Sequence, residues 1–121
     1  MPRKTNEVPQ NSHSVVDDLC KEVDAWIRTT GVRYFDPLTN MAMLAEETGE
    51  VARIMARRYG QQSEKPSDKA KDLGEELADV LFVVCCLANQ TGTDLQAAWE
   101  RRMVKKTARD RTRHRRNPKL R

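Results

Sequence analysis

The sequence predicts an all-α protein of four helices, and three observations lead there. Apolar residues recur at gaps of three and four in four separate segments. Aromatic residues make up only 5% of the 121 residues, too few for a strand-rich core. Each periodic segment is also bounded by residues that start or stop helices.

The first helix is predicted over Val15 to Thr29, because Val16, Leu19, Val23 and Trp26 recur at the spacing of one helical face. Ser14, with Asp17 three residues on, offers an N-cap, and Gly31 lies just past the end. Asp36-Pro37 opens the second helix: Asp accepts from the orphan amides, and Pro loses nothing at the first helical position. Met41, Leu44, Thr48, Val51 and Met55 form its stripe, and Gly60 ends it. A polar stretch from Gln61 to Lys69 reads as a loop, after which Ser67 is expected to cap the third helix. Leu73, Leu77, Val80, Leu81, Val84 and Leu87 are its expected core face. From Val80 to Ala88 every residue is apolar or cysteine, so this helix is expected to be buried on all sides, in part by a second subunit. Thr91-Gly92-Thr93 breaks the chain, Thr93 and Gln96 suggest a capping box, and Leu95, Ala98, Trp99 and Met103 mark the fourth helix.

The chain divides by composition into a flexible segment 1–13, an all-α domain 14–110 and a basic tail 111–121, expected to be disordered. The net charge of +4 is an uneven sum: Arg109 to Arg121 carries +6 and the preceding residues −2. The tail is a candidate only for weak, non-specific contact with nucleic acid. No apolar run reaches the roughly 20 residues of a membrane span, and no signal-peptide pattern follows Met1, so a cytoplasmic protein is expected. Cys85 and Cys86 lie in the apolar run and read as buried, reduced thiols. With two histidines, His13 and His114, one near each end, histidine-based zinc and serine-hydrolase chemistries are disfavoured.

The informative residues are acids. Glu47 with Glu50, and Glu76 with Asp79, form two pairs three residues apart, so each pair projects from one helix surface. At about 100° per residue, Glu47 falls between Val51 and Ile54, Glu76 between Val80 and Val83, and Asp79 beside Val83 and Cys86. Carboxylates are thus placed against apolar seams, where an uncompensated charge costs several kcal/mol. Of the four, only Glu50 has a basic neighbour on its own helix, Arg53. Two antiparallel helices would bring both pairs together. An all-oxygen donor set suits Mg²⁺, with Mn²⁺ as a substitute, and such an ion suits hydrolysis of a phosphoanhydride. The rival expectation is a non-catalytic, dimeric helical interaction module whose acids meet a basic partner.

The ordered motifs Tyr34-Phe35-Asp36-Pro37-Leu38, Glu46 to Val51, Arg58-Tyr59-Gly60, Ala78 to Val83 and Cys86 to Asn89 resemble the MazG-like nucleotide pyrophosphohydrolases of the all-α NTP pyrophosphatase superfamily. The likeness runs from Tyr34 to Asp110 and is strongest to short, single-domain members of the YpjD type. It implies a four-helix subunit assembling as a dimer or dimer of dimers, and Mg²⁺-dependent cleavage of a (d)NTP to (d)NMP and pyrophosphate, as in house-cleaning of nucleotide pools. By motif position it makes Glu47, Glu50, Glu76 and Asp79 the metal ligands; in the expected mechanism Glu47 or Glu50 orients the water as a general base. Glu46 points away, and a structural salt link to Arg53 is expected for it. Lys105 and Arg109 would meet substrate phosphates, though Thr107 stands where similar proteins carry Asn. Tyr34 and Trp26 are candidates for stacking on the base.

Overall fold

The computed structural model describes residues 14–121; the segment 1–13 lies outside the described residues. The order is α1 (Val15–Thr29), α2 (Pro37–Ile54), a π-helical turn (Met55–Tyr59), a short α3 (Pro66–Lys69), α4 (Leu73–Gln90) and α5 (Leu95–Asp110). No strand occurs among the described residues, so the all-α expectation holds.

The first two helix starts follow the sequence. Ser14 Oγ accepts from the Asp17 amide at 3.2 Å, and Asp36 Oδ1 from the Thr39 amide at 2.9 Å, with Pro37 opening α2. The next two starts are shifted. Ser67 lies within the extra turn α3, and Asp72 caps α4 by accepting from Glu75 N at 3.2 Å. Asp94 rather than Thr93 caps α5, accepting from Ala97 N at 3.0 Å, while the Thr93 hydroxyl pairs with that of Thr91. A carboxylate stands within one to five residues of each expected cap, and an acceptor carrying full charge suits the positive end of a helix better than a hydroxyl. At the end of the π turn the chain passes over itself closely: a Cβ on Gly60 would lie 2.5 Å from Ala56 O, so only glycine fits.

α4 is the central helix. It packs most extensively on α2 and next on α1, while α5 touches α1. Asn40 near the start of α2 donates to Gln90 at the end of α4 at 2.7 Å, while Lys71, just before α4, reaches Glu50 late in α2. α2 and α4 are therefore antiparallel. Among the described residues the buried apolar side chains are Val23 and Ile27 of α1, Ile54 of α2, and Val83, Cys85, Cys86 and Ala88 of α4, and Asn40 and Asp68 are buried polar ones. Trp26 meets Phe82 edge to face, with ring centroids 5.6 Å apart, and so ties α1 to α4. The cysteines are free, and burial pushes the Cys85 thiol up to about 12.

The expected core faces need correction. Leu77 and Leu81 were expected inside but are 50% and 44% exposed, and Met41 and Met55 of the α2 stripe are exposed too. The subunit instead buries the line through Val83 and Cys86, which leaves a second apolar face on α4 uncovered.

Candidate metal centre

Ile54, Val83 and Cys86 are each 2% exposed, and they are the residues against which the sequence places the acids. The carboxylates therefore edge the buried α2–α4 seam. Because the two helices run in opposite directions, one face of α2 meets the matching face of α4, and Glu47, Glu76 and Asp79 converge. One carboxylate oxygen from each lies within 4.8 Å of the others. Glu47 and Glu76 are half-buried and Asp79 is exposed. Burial pushes the Glu47 carboxyl above its ordinary range, and the neighbouring charges of Asp79, Glu76, Glu50 and Glu46 push the same way. No basic group pairs with these three acids among the described residues. Convergent oxygens, mutual repulsion and the lack of an ion-paired protein cation among the described residues together fit a hard divalent ion.

Glu50 is placed differently. Its Oε2 accepts from Lys71 Nζ at 2.7 Å, which holds its carboxyl below the ordinary range. One oxygen is thus committed to Lys71 and the other carries no protein hydrogen bond among the described residues. Lys71 was not among the residues read from the sequence. It is 21 positions from Glu50, beyond any helical neighbour rule. The available signal was topological: an antiparallel pair sets the end of α2 beside the start of α4.

A buried clamp holds Lys71 there. Asp68 is 3% exposed, and its carboxylate accepts from Arg53 Nε at 3.0 Å, Arg57 Nη1 at 2.7 Å and the Lys65 amide at 3.0 Å. Arg57 first, then the Lys65 amide and Arg53, hold its carboxyl well below the usual carboxylate range. Arg58 Nη2 donates to the carbonyls of Asp68 and Lys71 at 3.0 and 2.8 Å, fixing the backbone that carries the lysine. Arg53 is therefore engaged by Asp68, and the expected link to Glu46 does not form: Glu46 is exposed and lies seven residues, about two turns, away.

The remaining candidates stand apart from the acids. Lys105 and Arg109 are exposed on α5, and among the described residues no hydrogen bond or ion pair joins them to Glu47, Glu76 or Asp79. Arg109 grips Asp110, and Thr107 donates to the Met103 carbonyl at 2.8 Å within its own helix. Tyr34 donates to Asp24 Oδ1 at 2.6 Å; burial first and then this bond push its hydroxyl up to about 12. Asn89 donates to the Tyr34 hydroxyl at 3.1 Å and to the Cys20 carbonyl at 2.8 Å, joining α4, α1 and the loop between α1 and α2. Trp26 is half exposed beside an apolar groove of about 360 Å³ lined by Leu19, Val23, Ala78, Leu81 and Phe82.

Known proteins resemble this chain in sequence and fold. Residues 35–114 match the MazG nucleotide pyrophosphohydrolase domain. The chain is 42% identical to the YpjD protein of Bacillus subtilis (strain 168) over 102 residues, covering 84% of this chain and 92% of that one. It superposes on the crystal structure of Bacillus subtilis YpjD with a TM-score of 0.69 at 43% identity, over 82% of this chain and 99% of the other. The crystal structure of a Bacillus-conserved MazG protein, a nucleotide pyrophosphohydrolase, gives a TM-score of 0.62 at 40% identity, over 78% and 90% of the two chains. The chain is a hydrolase and belongs to the MazG nucleotide pyrophosphohydrolase family.

Proposed function

We propose that this protein hydrolyses a nucleoside triphosphate, in ribose or deoxyribose form, between the α- and β-phosphates, releasing a nucleoside monophosphate and pyrophosphate. The observation that supports this most is the convergence of Glu47, Glu76 and Asp79 with no protein cation among them. These three would hold Mg²⁺ or Mn²⁺, with Glu50 beside them as a fourth oxygen donor. A divalent ion bound there supplies charge neutralisation and an acidified water.

The protein's own groups divide the remaining work. Glu50 is kept ionised and fixed in place by Lys71, and its second oxygen can accept from the attacking water and orient it toward the α-phosphorus. Its depressed proton affinity makes it a better orienting group than proton store. Glu47 is the alternative group to orient the water, since a cation held there would offset the repulsion that raises its carboxyl. On α5, Lys105 lies exposed and ready to meet a phosphate, whereas Arg109 must first release Asp110. Trp26 presents a free ring face to a base more readily than Tyr34, whose hydroxyl is fixed by Asp24 and Asn89.

The exposed apolar residues Leu77, Leu81 and Trp99 support a homodimer or homotetramer. Among the described residues no helix is long and apolar enough to cross a membrane, and we assign the protein to the cytoplasm on its composition. The α-helical domain 14–110 is the catalytic unit in this reading, with 111–121 an appendage.

Pyrophosphate release from a panel of NTPs and dNTPs in Mg²⁺ tests the assignment. Glu47→Gln and Asp79→Asn are each expected to lower kcat/KM about 100-fold or more and to weaken Mg²⁺-induced thermal stabilisation. If no triphosphate in the panel is turned over, or if both variants retain full activity, the reading fails.

A further inference from the structure

Apart from Lys105 and Arg109, the cations of the C-terminal region have no part in the proposed hydrolysis. Between Arg101 and Arg121 eleven Lys and Arg stand against a single acid, Asp110. Asp110 gathers Arg109 at 2.9 Å, Arg113 at 3.4 Å and His114 at 3.9 Å. Arg101, Arg102, Lys105, Lys106, Arg111, Arg115, Arg116 and Lys119 have no acidic partner among the described residues. Every residue from Trp99 to Arg109 is exposed, although Trp99, Arg102 and Lys106 border a groove against α1 and α4.

The charges are also arranged. At about 100° per residue, Arg101, Arg102, Lys105, Lys106 and Arg109 fall within an arc of about 140°. Leu95 falls within that arc and Trp99 about 20° beyond it, and both turn to α1 and α4, where they line an apolar groove of about 510 Å³ with Val16, Leu19, Leu81 and Val84. One helix face is thus apolar where it meets the bundle and basic beyond it. Past Asp110 the chain continues through turns at 111–116 and a short 3₁₀ segment, Pro118–Leu120, and Arg121 closes back on the Arg115 carbonyl at 2.6 Å. The basic side chains after the helix are therefore held near its end.

We propose that the outer half of α5 and the turn after it form a docking surface for duplex DNA, read through its phosphates and without sequence preference. Unpaired cations in this number call for a polyanion, since releasing condensed counterions from a nucleic acid favours association. The form of the element selects the duplex. A single solvent-exposed helix is about 10–12 Å across with its side chains and fits the roughly 12 Å major groove of B-DNA. The major groove of A-form RNA is too deep and narrow for it. No Phe, Tyr or Trp lies between Arg101 and Arg121 to stack on unpaired bases, which disfavours single strands. Met103 and Val104 are the only exposed large apolar residues on this half of the helix beyond Trp99, too few to anchor it in a lipid surface.

The test is fluorescence anisotropy with the full chain and a labelled 20-base-pair DNA duplex, titrated across salt concentrations. Parallel arms use duplex RNA, single-stranded DNA and phosphatidylglycerol vesicles. The comparison protein is R101Q/R111Q/R115Q/R116Q, which leaves Lys105, Arg109 and the groove-lining Arg102 and Lys106 intact. Circular dichroism and the thermal midpoint report on its fold, so the result is read whether or not the protein hydrolyses nucleotides. Duplex DNA is expected to bind best. Its logarithmic salt dependence should become shallower by about one for each phosphate that the variant no longer neutralises, and affinity at low salt should fall more than tenfold in a folded variant. Three results would overturn the proposal: no binding of the DNA duplex at 50 mM salt, a folded variant that binds like the parent, or tighter binding of RNA, single strands or vesicles.

Discussion

At the scale of single residues, Val32 is held in the left-handed region at φ 72°, a conformation its branched side chain disfavours. The side chain is 83% exposed, so nothing is gained by packing it. Val32→Gly is expected to raise stability by up to about 1 kcal/mol, the relieved strain exceeding the entropy glycine loses. A urea midpoint that does not rise would argue against strain at this bend. Lys71 gives a second single-residue prediction. Its ammonium stabilises the Glu50 carboxylate, so Lys71→Ala should return that group toward its ordinary value of 4.5. The acid limb of the kcat profile should then move to higher pH, with kcat at neutral pH reduced about tenfold through lost orientation. An unshifted limb would separate Glu50 from the chemistry. Both residues escape a periodicity reading for one reason: their importance comes from backbone shape or from a partner remote in sequence.

At the scale of elements, α2 and α4 are joined at both ends by polar links: Asn40 to Gln90 at one end, and the Asp68 clamp with Lys71 to Glu50 at the other. Asp68 is lowered in the folded state, so its contribution is complete above its ordinary 3.8 and is lost as pH falls through the folded value. The protein should therefore lose stability progressively below about pH 4. Asp68→Asn should lower the thermal midpoint at neutral pH and flatten that acid dependence, because it leaves Arg57 and Arg53 without their shared anion. An acid dependence equal to that of the parent would place the responsible carboxylates elsewhere. The caps belong to this scale too. Ser14 and Asp36 were legible because each directly precedes a clear apolar period, whereas Ser67 and Thr93 were misread because Asp72 and Asp94 offer stronger acceptors nearby. The extra turn α3 had no legible period because four residues cannot display one.

At the scale of the whole molecule, the subunit exposes Trp26 at 49%, Leu77 at 50%, Leu81 at 44% and Trp99 at 55%, while α4 is apolar throughout from Val80 to Ala88. A helix of that composition is stable in water only when both faces are covered. Leu81→Asp is accordingly expected to shift the protein to monomer in sedimentation and to remove the dependence of its thermal midpoint on concentration. A parent protein that sediments as a monomer would contradict the covered-face argument. The charge distribution also belongs to this scale. Acids sit on the α2–α4 seam while cations extend along α5, so two surfaces of opposite sign coexist on one small chain.

The sequence by itself determined the helices and the acid set. Helical period, Asp and Pro at a helix start, and carboxylates beside an apolar stripe are local relations, and local relations survive without a fold. Only the tertiary structure decided which face of α4 is buried, that Arg53 serves Asp68 rather than Glu46, and that Glu50 answers to Lys71 while its three companions answer to one another. Those choices depend on how two helices are rotated and paired. A rotation of one residue, about 100°, exchanges a buried position for an exposed one, and no rule based on neighbours within a single helix can fix it.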